Sequence, residues 1–401
     1  MWLAAAALAG CASAGVGHDH ATAKPRADPQ QRWQETLARP AYGAGAAFDA
    51  SGRLWRAEVR GRHIEVSVSS DRGRSFSAPV RVNSEPEFIA ADGENRPKIA
   101  VDRRGRIYIS YTQALEQPMT GHIRFSRSLD GGRSFSAPVT VNDNLDIISH
   151  RFEALAVSDQ GEIHLAWLDK RDLHAARADN APYRGAALYY AVSRDGGATF
   201  AANVRLADHT CECCRVAMTL DTDGTPVVIW RHVFETNLRD HALLRLDGRS
   251  TIQRLSHEQW AVDACPHHGP ALVIDGEGTY HAAWYSGAPA SNGLFYASSG
   301  NRGASFSAPQ RFGDNDAQAG HPSLLSSGPR LYLAWKEFDG RNTVIRVQRS
   351  TDGGRHWDAP RTLTTTTERS DHPQLIGNGT QVFLAWNSAH EGFRLIEIAE
   401  P

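Results

Sequence analysis

Ser128-Leu129-Asp130-Gly131-Gly132-Arg133-Ser134-Phe135 reads as a hairpin turn that carries its own staple. The short polar side chains accept backbone N–H bonds across the turn, glycine supplies the positive φ, and the closing aromatic buries itself between strands. The pattern recurs at Ser69–Phe76 around Asp71, at Ser193–Phe200 around Asp195 and at Ser350–Trp357 around Asp352. A relaxed copy, Ser299–Phe306, has Asn301 in the acidic place, and Leu246-Asp247-Gly248 is a degenerate one. An aspartate in such a turn is a structural acceptor, so these residues are expected to hold the fold rather than do chemistry.

Working outward, each interval contains a small apolar strand, an Asp-Gly-type turn and a second strand ending on an aromatic. The second strands contain Leu54-Trp55, Ile107–Tyr111, Ile163–Trp167, Val227–Trp230, Tyr280–Trp284, Leu331–Trp335 and Val382–Trp386. Their spacing of about 50–65 residues is that of a four-stranded propeller blade, and a third alternating strand follows each. The reading is an all-β, seven-bladed propeller over residues 31–401, with a six-bladed ring as the alternative. The seventh repeat ends after its third strand, so Arg32–Ala38 is expected to add the missing outer strand and close the ring. The tryptophans belong to the core.

Composition agrees. The 401 residues are 41% hydrophobic and 22% charged, and 43 Lys plus Arg nearly balance 45 Asp plus Glu. No basic run offers a footprint for nucleic acid. Residues 1–10 form a short apolar leader, and at its junction Leu8-Ala9-Gly10-Cys11 resembles the lipoprotein cleavage box of bacteria. That resemblance implies lipidation at Cys11, a flexible tether over 11–30, and a place in the bacterial cell envelope on the periplasmic or surface side. The apolar run is too short to span a bilayer.

The stapled turns resemble the Asp-box (bacterial neuraminidase) repeats of the sialidase-like propeller superfamily. The resemblance implies the fold and leaves the reaction open, because function lives in the site. Propeller topology puts the start of each first strand and the end of each second strand on the face opposite the turns. First-strand starts bring Tyr42, Arg96, Arg151, His321 and His372, together with Cys211-Glu212-Cys213-Cys214-Arg215 and Cys265-Pro266-His267-His268. Second-strand ends bring Glu58, Gln113, Asp169–Arg171, Arg231-His232, Ser286, Lys336-Glu337 and Asn387. Arg96, Arg151, Arg215, Arg231, His321 and His372 are the candidate ligand-binding residues. A sialidase implies three arginines on the substrate carboxylate and a Tyr/Glu pair. Arg96, Arg215 and Arg231 could supply the guanidinium groups, and Glu58 is the candidate carboxylate; no Tyr/Glu pair transfers by motif.

Four cysteines remain, in two neighbouring blades. Cys211, Cys213, Cys214 and Cys265, with His267 and His268, admit interblade disulfides, a copper or zinc site, or a catalytic thiol. A disulfide between Cys265 and one member of the cluster is the expectation. The chain is therefore read as a membrane-tethered binding or scaffold propeller for a small anionic, glycan or metal ligand, or for a protein partner in the envelope. An exo-α-sialidase-like glycoside hydrolase is the alternative.

Overall fold

The computed structural model describes residues 28–399 except Asp92 and Thr236, so Cys11 and most of the expected tether lie outside the described residues. Seven antiparallel sheets follow one another along the chain. Their first strands are Gly45–Phe48, Lys98–Val101, His150–Val157, Ala217–Leu220, Ala271–Ile274, Gly320–Ser327 and Gln374–Gly377. Each first strand touches the first strand of the next blade, and Gln374–Gly377 touches Gly45–Phe48, which closes a seven-bladed ring. Blade two has an extra short strand, Ile89–Ala90, beside its second strand.

The second strands are the core. Ile163–Asp169 and Pro226–Arg231 are buried along their whole length, as strands sandwiched between neighbouring blades must be. Trp167 packs with Tyr108 and Phe125 of blade two, and Trp284 packs with Ile229 and Leu243 of blade four. In blades two to seven the second-strand aromatic thus joins one blade to the one before it, whereas Trp55 of blade one, near the start of its strand, packs with Ile107 and Tyr111 of blade two.

The stapled turns share one geometry. Asp130 Oδ1 accepts from Ser128 Oγ at 2.8 Å and from Ser134 N at 3.0 Å, while Ser128 Oγ accepts from Gly132 N at 2.9 Å. Asp71, Asp195 and Asp352 repeat the contact to the residue four positions on, and Asn301 does so through Oδ1. Even the degenerate copy is stapled, because Asp247 Oδ1 accepts from Arg249 N and Ser250 N. Gly132 lies at φ +83°, and an added Cβ would come within 2.5 Å of the Trp55 ring of blade one. Gly132→Ala should lower unfolding free energy by about 2 kcal/mol through strain and overpacking, as measured by urea denaturation.

The closure differs from the expectation. Residues 32–38 do not form the outer strand of blade seven; Arg32–Leu37 belong to a helix, α1 (Pro29–Leu37), with Ala38 as its C-cap, and among the described residues blade seven has three strands, Gln374–Gly377, Val382–Ser388 and Gly392–Glu397. The local sequence explains why. Asp28 caps the helix by accepting from Gln30 N, a proline stands in the first turn, and Trp33 and Leu37 fall four residues apart on one face. That face covers Ala90 and Ala114 of blade two, and Trp33 Nε1 donates to Leu115 O at 3.1 Å. Side chains close the ring instead. Asp371 Oδ2 accepts from Ala44 N at 3.3 Å, Gln374 Oε1 accepts from Ala46 N at 3.3 Å, and Asn387 Nδ2 donates to Tyr42 O at 3.0 Å.

Candidate functional site

Leu54 pairs with Ser69, so the turn joining first and second strands and the stapled turn share one end of a blade. The opposite end collects the chemistry. The loop ahead of Lys98–Val101 carries Glu94 and Arg96 into the mouth of the channel. Glu94 Oε1 lies 3.0 Å from His321 Nδ1, and Glu94 Oε2 accepts from Gly269 N at 3.2 Å. His321 is held at φ 55° by a register shift between Gly320 and Ser323. A strained backbone there aims the imidazole inward rather than along the sheet.

The His321 ring stacks on His372 at 3.5 Å and on His268 at 4.6 Å, and His268 stacks on Tyr285 at 4.2 Å. Three blades thus contribute to one aromatic column. Burial, followed by the His321 charge, holds His268 down to about 3 and His372 well below the usual imidazole range. Both are neutral at physiological pH, and the Nδ1 atom of each is buried with no hydrogen-bond partner among the described residues. Burial works to raise the Glu94 carboxyl, but His321, His372 and Arg215 together hold it well below the usual carboxylate range. A carboxylate therefore orients the central imidazole, with neutral imidazoles on either side.

The four candidate arginines do not converge as a clamp. Arg96 pairs with Asp371 at 3.1 Å and donates to His372 O. Arg231 donates to the carbonyls of Arg239 and Tyr285 beneath the Trp260 ring. Arg215 donates to Cys213 O and lies over the Phe152 ring. Arg151 lies over the Trp33 and Phe152 rings and faces a cleft. Glu58 is bound to Arg56 and Arg60 at 3.0 Å each and lines a cleft with Tyr42 and Asn387 that does not include the histidine column. A buried Tyr/Glu pair exists elsewhere, Tyr111 Oη to Glu87 Oε2 at 2.6 Å, but burial and Glu87 raise that phenol, the reverse of nucleophile activation.

Two clefts flank the column. One of about 530 Å³ is walled by Trp33 and Tyr42 and carries Arg39, Arg151, Lys336 and Arg369 against Glu368 and Asp371. The other, of about 580 Å³, is lined by His268, Tyr285, His321 and Phe338. Lys336 and His372 line both. The Lys336 ammonium donates to Ser370 O, Ser370 Oγ and Asp371 O at 3.2–3.4 Å, and no carboxylate lies within ion-pair distance among the described residues. Burial lowers its pKa. Composition gave no reason to single out Glu94, Tyr285 or Trp33. Lys336 stood among the second-strand ends, where its sequence neighbours looked no different from those of the other blades.

The sulfur cluster sits apart from this column. Cys211, Cys213 and Cys214 are buried, Cys265 is exposed, and all four are free thiols, so the expected Cys265 disulfide is not formed in this structure. The Cys211 sulfur is 3.2 Å from that of Cys214 and 3.7 Å from that of Cys213. Hydrogen bonds from Cys213 and Cys214 draw the Cys211 thiol well below its ordinary range, and one from Cys213 draws Cys265 to about 7.

No protein-family model and no curated protein matches the sequence. Solved structures do. A polysaccharide lyase, the PL25 ulvan lyase bound to -[GlcA(1-4)Rha3S]-, aligns with a TM-score of 0.54 at 12% identity over 89% of this chain and 94% of the lyase. Polysaccharide lyase Uly1 gives 0.54 at 9% identity over 90% and 91%. The intramolecular trans-sialidase of Ruminococcus gnavus gives 0.51 at 11% identity over 76% and 95%. At these identities the likeness is one of fold.

Proposed function

We propose that the channel mouth binds an acidic saccharide, with its carboxylate held at Lys336 and its rings against Trp33 and Tyr42. The observation that carries this reading is the 530 Å³ cleft, where four cations oppose two carboxylates beside aromatic walls. A pocket that is concave, partly apolar and set with a few convergent charges is the usual form of a ligand site. The fold likeness to propellers named as polysaccharide lyases and a trans-sialidase supports a glycan over another small anion. Calorimetric titration with hexuronate oligosaccharides and with neutral oligosaccharides of the same length tests it. Heat with the acidic series alone is the expected result; equal affinity for both, or none for either, rejects the reading.

A second reading adds cleavage to binding. The Glu94–His321 pair is an imidazole oriented by a carboxylate, and in its unprotonated form that ring is a suitable base for removing the proton beside a uronate carboxylate in an eliminative break of the glycosidic bond. It predicts an ultraviolet-absorbing unsaturated uronate product that disappears in His321→Gln while binding persists. The exo-α-sialidase alternative is served less well, because Arg96 and Arg231 are engaged by Asp371 and by backbone carbonyls. We place the domain at the cell envelope on a Cys11 lipid, a reading that rests on residues 8–11 and on the tether sequence alone. Kinship with the Asp-box superfamily likewise rests on the turn motif.

A further inference from the structure

We propose that Cys211, Cys213 and Cys214 form a trigonal thiolate site for monovalent copper, with Cys265 and His267 as its outer receiving pair. The ligand atoms of the first three residues lie within 4.8 Å of one another, as do those of Cys213, Cys265 and His267, so the two triads share one sulfur. A single ion can be contacted by the inner three and handed between triads through Cys213.

The donor set selects the metal. Three clustered sulfurs are soft ligands, which copper(I) and zinc both accept. Structural zinc takes four ligands in a tetrahedron. Among the described residues, the buried triad has no fourth cysteine, histidine or carboxylate within reach of all three sulfurs. Three-coordination suits copper(I). Its three thiolates and one cation leave a local charge of about −2, which calls for cationic neighbours. Arg239 supplies one, with its guanidinium 3.5 Å from the Cys211 sulfur, and Arg215 supplies another through its bond to Cys213 O.

Access is also built. Cys265 and His267 are exposed, and His267 is held at φ 59° in the Cys265-Pro266-His267-His268 loop. A separate cleft of about 440 Å³ brings Glu212, Arg239 and Asp263 to the surface beside the cluster. The inner sulfurs are closed to solvent, which protects a bound copper(I) from oxidation; the outer pair is where an incoming ion exchanges its carrier.

The test is an anaerobic titration of the reduced full chain with copper(I) against a chromophoric chelator, with zinc titrated in parallel. One equivalent of copper, with a sulfur-to-metal ultraviolet band, is the expected result for the wild type. Cys213→Ser should reduce the stoichiometry from one to zero at matched chelator. Cys265→Ser should leave it at one while slowing loading. Melting curves of both variants establish that they fold; exposed Cys265 gives a variant that tolerates replacement even where Cys213→Ser does not. Zinc held more tightly than copper, no metal retained by the reduced wild type, or unchanged copper binding in folded Cys213→Ser would each overturn the assignment. A Cys265-linked peptide in a non-reduced digest of metal-free protein, with no copper uptake after reduction, would overturn it in favour of a disulfide.

Discussion

Asp371→Ala is expected to lower the stability of the whole ring by about 3–5 kcal/mol, the cost of leaving a buried charge without its partner. Arg96 and Asp371 are both nearly inaccessible, with side-chain exposures of 7% and 1%. Asp371 also accepts from Ala44 N and His372 N, so alanine strands two amides together with the guanidinium. Urea unfolding measures the loss, and a change below about 1 kcal/mol would show that the joint is redundant. Asp371→Asn is milder and isolates the charge. Burial outweighs Arg96 and the amide donors and pushes the Asp371 carboxyl up to about 6, above the usual carboxylate value. A raised folded-state pKa contributes stability that is complete below the unfolded value and is lost as pH rises through about 6. The wild type should therefore gain on Asp371→Asn as pH falls from neutral toward 4. The opposite slope would mean that Arg96 wins over desolvation.

Lys336→Met should weaken binding of a hexuronate oligosaccharide by about 100-fold, equivalent to about 2.7 kcal/mol. The ammonium is half-buried between the two clefts and is hydrogen-bonded by neutral oxygens, with Asp371 and Glu94 acting on it only from beyond ion-pair distance, so it can answer a ligand carboxylate directly. Methionine keeps the stem that packs there and removes only the charge. Calorimetry on both proteins, with matched melting temperatures, gives the ratio. Arg151→Met should cost less, because its guanidinium is already shared between the Trp33 and Phe152 rings. Retained affinity in Lys336→Met would move the carboxylate site to another part of the cleft.

What the sequence made legible was what repeats. Seven second strands each carrying a Trp or Tyr, with a stapled turn after most third strands, define blades because each copy solves the same burial problem. At residues 32–38 the short last blade asks for a fourth strand. Asp28, the following proline and the Trp33–Leu37 spacing carry a helix signal that outweighs that demand. The site was half legible. His321, His372, Arg96 and the cysteine groups were found because topology places first-strand starts on one face. Glu94 is not, because it lies in an irregular loop outside the repeating strands, and its partner is more than two hundred residues away. Glu58 stands near an aromatic slot, yet two arginines in its own strand neutralise it.

The joint between the first and last blades also bears on the order in which the molecule assembles. Within a blade, strands meet across short hairpins, and neighbouring blades meet across one repeat. The bonds from Ala44 to Asp371, Ala46 to Gln374 and Asn387 to Tyr42 instead link residues separated by 327, 328 and 345 positions. Contacts so distant along the chain carry the largest loop-closure entropy, so they are made after the local ones have shortened the effective loop. With side chains rather than an exchanged strand as the fastening, the ring has a seam. Blades can form in sequence as the chain leaves the ribosome, and the circle shuts only when Gln374 and Asn387 have arrived.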